Sequence, residues 1–125
     1  LEVDCLGGAP GVYSARYAGE AHNDAANRRK LVEDLRSFSP PYKARFRTVV
    51  AYIDAAGVEH LFEGCVEGTI ILEERGEAGF GYDALFVPEG EERTFAQMTE
   101  HEKNAMSHRA RAIAAFSQYL KQYPL

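Results

Sequence analysis

Apolar and polar positions alternate over residues 1–6, with Leu1, Val3 and Cys5 set against Glu2 and Asp4, which predicts a short strand closed by Gly7-Gly8. Ala9-Pro10-Gly11 continues it as a tight loop. Over 22–35 the period becomes helical, with Ala26, Leu31 and Leu35 inward and Arg28, Arg29 and Glu33 outward. Asn23 or Asp24 is placed to cap its start, and the prolines Pro40-Pro41 stop it within 37–41. The run 46–54 is apolar on both faces (Phe46, Val49, Val50, Tyr52, Ile53) and predicts a central strand. Ala55-Ala56-Gly57 turns it into a return strand over 59–67, with His60, Phe62 and Val66 on one face and Leu61 and Cys65 on the other. Gly68 separates that strand from Thr69-Ile70-Ile71-Leu72, and a glycine-rich link over 75–82 leads to a last short strand at 83–87. Thr99 opens the final helix with a Thr99-x-x-Glu102 capping box, and Ile113, Phe116 and Leu120 form its buried stripe. The expectation is a single α/β domain over 1–125, with a mixed, largely antiparallel sheet flanked by helices.

Composition narrows the function classes. A net charge of −5 argues against binding a nucleic-acid polymer, which needs a basic surface. It leaves room for a free nucleotide, whose charge a few local cations can meet. No apolar run reaches the ~18 residues of a membrane span. Two cysteines, Cys5 and Cys65, are too few and too far apart for a disulfide framework or a zinc site, and read as small apolar groups in a reducing cytosol.

Three stretches carry candidate chemistry. In Gly79-Phe80-Gly81-Tyr82-Asp83 two glycines let the backbone approach a ligand, so Phe80 can serve as a stacking platform and Asp83 as an acceptor; equally, Phe80 can plug the core. In 102–109 four donors, Lys103, Ser107, His108 and Arg109, crowd together. On a continuous helix Lys103 and Ser107 share a face. If the helix breaks near Asn104, Ser107 becomes an N-cap and His108 and Arg109 stand in a positive first turn; a plain solvated basic face is the alternative. The glycine loop over 6–19, with Arg16, matches neither a Walker nor a dinucleotide phosphate loop.

Taken in order, the stretches LGGAPGVYSARYAG, RGEAGFGYDALFVPEG and EKNAMSHRARA resemble the inosine/xanthosine triphosphate pyrophosphatase family from Leu1 to about Ala115. The resemblance implies a piece, the C-terminal two-thirds, of that family's elongated two-lobed fold. It implies hydrolysis of non-standard purine nucleoside triphosphates (ITP, dITP, XTP) to monophosphate and pyrophosphate, with Mg²⁺, by a cytoplasmic homodimer. It assigns substrate contacts to Phe80, Gly81, Tyr82, Asp83, Lys103, Ser107, His108 and Arg109, with Lys103 nearer the phosphates. A site rich in donors favours a purine with a 6-keto oxygen over adenine, whose amino group would leave a donor unpaired. One departure is Ala84, where the family often has proline, which loosens the turn slightly.

The family's Thr/Ser-x-Asn-x-x-Lys phosphate loop and its acidic metal and base residues have no match in this sequence, and Asp54, Glu67 and Glu73 read as ordinary strand acids. Catalytic residues and metal ligands are therefore expected upstream of Leu1, consistent with a chain that starts within a strand and without a methionine. The alternative is a non-catalytic nucleotide-binding or dimerisation module of the same fold.

Overall fold

The computed structural model describes residues 1–19 and 21–124. Its centre is a hairpin of two 12-residue strands, β2 (Tyr42–Ile53) and β3 (Glu59–Ile70), paired antiparallel from Tyr42↔Ile70 to Ile53↔Glu59. β1 (Glu2–Val3) adds to β2 and β4 (Phe86–Pro88) adds to β3, giving a 4-stranded sheet in the order β1-β2-β3-β4, antiparallel at every junction. Asp54 makes the hairpin turn: its Oδ1 accepts from the N–H groups of Ala56 (2.9 Å) and Val58 (3.0 Å). Asp54 belongs to the turn rather than to the strand, because its side chain competes for these backbone donors.

Helix α1 (Asp24–Leu35) is capped by Asn23, whose side chain accepts from the Ala26 N–H at 3.1 Å. It buries Leu31 and Leu35 completely against a core that includes Val3, Tyr42, Ile70, Leu85 and Phe86. Helices α2 (Glu100–Asn104) and α3 (His108–Gln122) follow, and α3 lies on one face of the hairpin, with Phe116 5.3 Å from the ring centres of both Tyr52 and Phe62. No helix among the described residues is long and apolar enough to cross a membrane.

The tertiary structure revises several expectations. The first strand shrinks to β1, because Asp4–Leu6 winds into a 3-10 turn closed by Gly7 at φ +66. β2 starts at Tyr42, and its far half is not buried on both faces: Val49 and Ile53 are 52% and 65% exposed, since α3 covers one face only. Gly68 does not interrupt β3; a Cβ there would stand 2.4 Å from the Val87 carbonyl oxygen, so the glycine is what admits β4. The strand expected at 83–87 is delayed to Phe86, because the N–H groups of Asp83 and Leu85 turn back to the carbonyls of Phe80 and Tyr82.

The final helix is two helices. Its Thr99/Glu102 capping box forms, but Ser107 adopts an extended ψ of 151° and caps α3, its Oγ accepting from the Ala110 N–H at 3.1 Å. Within α3 the fully buried position is Ala112, whereas Ile113 is 54% exposed. The cause is Gly64 of β3, whose missing side chain lets the helix backbone come so close that only a methyl fits between them. Arg28, expected outward, is turned in, with its side chain 20% exposed.

Candidate functional site

The turn 79–83 is built by its glycines. Gly79 and Gly81 take φ of +79 and +61, and a Cβ on Gly79 would lie 2.3 Å from Asp83 Oδ2. That oxygen accepts from the Phe80 N–H at 3.0 Å and from Lys103 Nζ at 2.6 Å. The conformation points the Phe80 ring away from the core, where it is 60% exposed, so Phe80 is not a core plug. Tyr82 is buried instead, and its hydroxyl donates to the Ser14 carbonyl at 2.7 Å. Burial, reinforced by Asp24, pushes its phenol up to about 12, which keeps it a neutral donor to the glycine loop. Ala84 is buried, and its carbonyl accepts from the Arg75 N–H at 2.9 Å.

Two cations approach the same ring. Lys103, from the last turn of α2, places Nζ 4.5 Å from the Phe80 ring centre, and Arg109, from the first turn of α3, places Cζ at 5.8 Å. Both distances fall within the ~6 Å reach of a cation–π contact. Arg109 does not pair with the strand acid Glu67, which instead accepts from Arg45 Nε at 2.9 Å.

His108 stacks on Phe46 with ring centres 5.3 Å apart, and its Nδ1 is buried with no hydrogen-bond partner among the described residues. Burial, helped by the charge of Arg109, lowers its pKa to about 4. The first turn of α3 is therefore less positive than expected: at neutral pH His108 is an uncharged ring, with one donor and one acceptor nitrogen, and Arg109 carries the charge.

These residues meet in one cavity of about 600 Å³, which brings Phe80, Gly81, Tyr82 and Asp83 of the turn together with Lys103, Ser107, His108 and Arg109. That volume lies in the range of small-molecule sites. Sequence reading missed other parts of its wall: Ser14, Asp24, Phe46, Phe95, Glu100 and Asn104. Ser14 and Asp24 sit in stretches already singled out, the glycine loop and the helix start, but nothing local points either of them at a ligand. A second hollow of about 660 Å³ runs along α1, where Arg28, Arg29 and Arg36 face Glu33, Glu73 and Glu74 without an aromatic platform.

Two carboxylates of the cavity wall are already engaged. At the cavity, Asp24 Oδ2 accepts from the Gly81 N–H at 2.9 Å and Asp83 holds Lys103. No group of three or more His, Cys, Asp or Glu side chains converges elsewhere among the described residues.

The Ham1 family model matches residues 1–119. A protein of Porphyromonas gingivalis named dITP/XTP pyrophosphatase is 57% identical over 120 residues, a match covering 96% of this chain and 61% of that protein. Its namesake from Christiangramia forsetii is 48% identical over 122 residues, covering 98% of this chain and 63% of that one. Among solved structures, the Ham1 protein of Staphylococcus aureus superposes with a TM-score of 0.91 at 38% identity, over 97% of this chain and 62% of that one. The HAM1 protein of Coxiella burnetii superposes with a TM-score of 0.89 at 36% identity, over 97% and 63%. The chain thus spans about three-fifths of the length of the relatives it matches. With a family match over nearly its whole length and a fold shared with solved members, the chain belongs to the Ham1 family.

Proposed function

We propose that this chain supplies the base- and phosphate-contacting wall of an enzyme that hydrolyses non-standard purine nucleoside triphosphates, such as dITP and XTP, to the monophosphate and pyrophosphate. The observation that carries the reading is the cavity: an outward-facing Phe80 with Lys103 and Arg109 at its ring, and His108 and Ser107 in the same wall. Stacking on an aromatic ring holds any purine, because every base has a π-face. Discrimination then falls to the donors. Arg109 meets a 6-keto oxygen but not the 6-amino group of adenine, and the neutral His108 offers its buried Nδ1 to the base edge. Lys103, closer to the turn, serves the phosphates.

A magnesium ion belongs to this reading as the counter-charge for the triphosphate, with ligands outside the residues described above. A homodimer and a cytoplasmic setting also belong to it, on the strength of family resemblance. The relatives' name, dITP/XTP pyrophosphatase, supports the substrate class.

The test is Phe80→Ala in the complete enzyme, with ITP and Mg²⁺. Loss of a stacking contact should reduce kcat/KM by about 1–3 kcal/mol of transition-state binding. Thermal stability should be unchanged, because the ring is 60% exposed. Unaltered kinetics in the folded variant would refute the stacking role.

A further inference from the structure

Phe80 presents a problem of support. Its ring is 60% exposed, so core packing does not hold it in place. The turn that carries it is rich in glycine, with Gly79 and Gly81 both at positive φ, and such a backbone has more conformational freedom than any other. Asp83 restrains the turn from one end, at the Phe80 N–H.

The other restraint comes from α1. Asp24 Oδ2 accepts from the Gly81 N–H at 2.9 Å, and Arg28 Nη1 donates to the Gly81 carbonyl at 2.8 Å. The two side chains are one helical turn apart and lie on one face of α1, so a rigid element grips consecutive peptide groups on either side of the Gly81 Cα. Arg28 is itself held, because its Nε donates to Glu74 Oε1 at 3.0 Å and its side chain is only 20% exposed. The bonds span 57 and 53 residues of sequence, so they are properties of the assembled fold.

We propose that Asp24 and Arg28 are positioning residues for the Phe80 platform, acting on base affinity through the Gly81 backbone rather than on the chemical step. The inference rests on the stacking role given to Phe80 above. A glycine turn released from α1 samples many orientations, of which only a fraction present the ring to the base, and apparent affinity falls by that fraction.

The deciding measurement is a double-mutant cycle in the complete enzyme with ITP and Mg²⁺, comparing Arg28→Met in the wild-type and Phe80→Ala backgrounds. Arg28→Met is expected to raise KM by about fivefold, the scale of one net hydrogen bond, and to leave kcat within about twofold. In the Phe80→Ala background the same substitution should leave KM unchanged, since the platform it positions is gone. Arg28→Lys, which keeps a donor for the Gly81 carbonyl, should recover most of the wild-type KM. Asp24→Ala, which releases the same segment from its other side, should reproduce the rise in the wild-type background and leave KM unchanged in the Phe80→Ala background, and this pair decides the matter should Arg28→Met fail to fold. An equal KM effect in both backgrounds, or a lowered Tm with unchanged KM, would overturn the positioning role while leaving the stacking role intact. An unchanged KM in Phe80→Ala alone would overturn the stacking role, and this inference with it.

Discussion

Gly64 of β3 and His108 of α3 stand so close that a Cβ on the glycine would lie 1.9 Å from the histidine's carbonyl oxygen and 2.4 Å from the Ala112 N–H nitrogen. Both obstacles are backbone, so neither can move by changing rotamer. The sheet therefore sets how deeply the first turn of α3 sits, and with it where His108 and Arg109 stand in the cavity. Arg111 reinforces the seat by donating from Nη1 to the Cys65 carbonyl at 2.6 Å.

Gly64→Ala should accordingly lower stability by about 1–3 kcal/mol, the usual scale of overpacking, and raise KM for ITP as the helix is displaced. Gly57→Ala is the control. It sits at φ +82 in the hairpin turn with nothing within 4 Å of an added Cβ, so it should cost stability through backbone strain alone and leave KM unchanged. Denaturant unfolding and ITP kinetics on both variants check this; an unchanged KM in Gly64→Ala would show that the helix seat does not govern the site.

Arg109 is exposed and makes no ion pair with Glu67, which Arg45 occupies. Arg109→Ala should therefore leave stability within about 0.5 kcal/mol, as for an ordinary surface substitution. If Arg109 reads the 6-keto oxygen, the ratio of kcat/KM for ITP over ATP should narrow several-fold, on the scale of about 1 kcal/mol for one lost donor. Measuring the ratio and the Tm on one preparation checks the assignment; a lowered Tm with an unchanged ratio would point to a structural arginine instead.

His108 makes a prediction about pH. Its pKa is about 4 in the folded protein, below the ordinary histidine value of 6.5. Between those values the unfolded chain holds a proton that the folded chain does not, so the contribution of His108 destabilises the fold as pH falls from 6.5 and levels off below about 4. One such proton changes stability by at most about 1.4 kcal/mol per pH unit. His108→Phe keeps a ring against Phe46 and removes the titration, so its unfolding free energy should fall less between pH 7 and pH 4.5 than the wild type's. Parallel slopes for the two proteins would show that His108 titrates normally.

Much of the fold was legible along the chain because its causes are local. The hairpin turn follows from residues whose conformational limits act within a few positions, and so do the Thr99/Glu102 box, the Asn23 cap and the end of α1 before Pro40-Pro41. The motif residues were legible as well, as neighbours: Phe80, Gly81, Tyr82 and Asp83 share a cavity with Lys103, Ser107, His108 and Arg109.

What the sequence by itself determined was which residue types stand at which spacing: the extended apolar runs of β2 and β3, the caps, and the aromatic and cationic groups a nucleotide site would need. Only the tertiary structure decided which of them act together. It turned Arg28 inward to Gly81, exposed Ile113 in favour of Ala112, ran β3 straight through Gly68 and removed the charge from His108. Each of these outcomes depends on a partner far away in sequence: a carbonyl 53 residues on, a helix backbone against Gly64, the Phe86 ring and Val87 carbonyl of β4, the burial of an imidazole against Phe46. Close approach and desolvation arise only when distant segments meet, and a one-dimensional pattern carries no record of that distance.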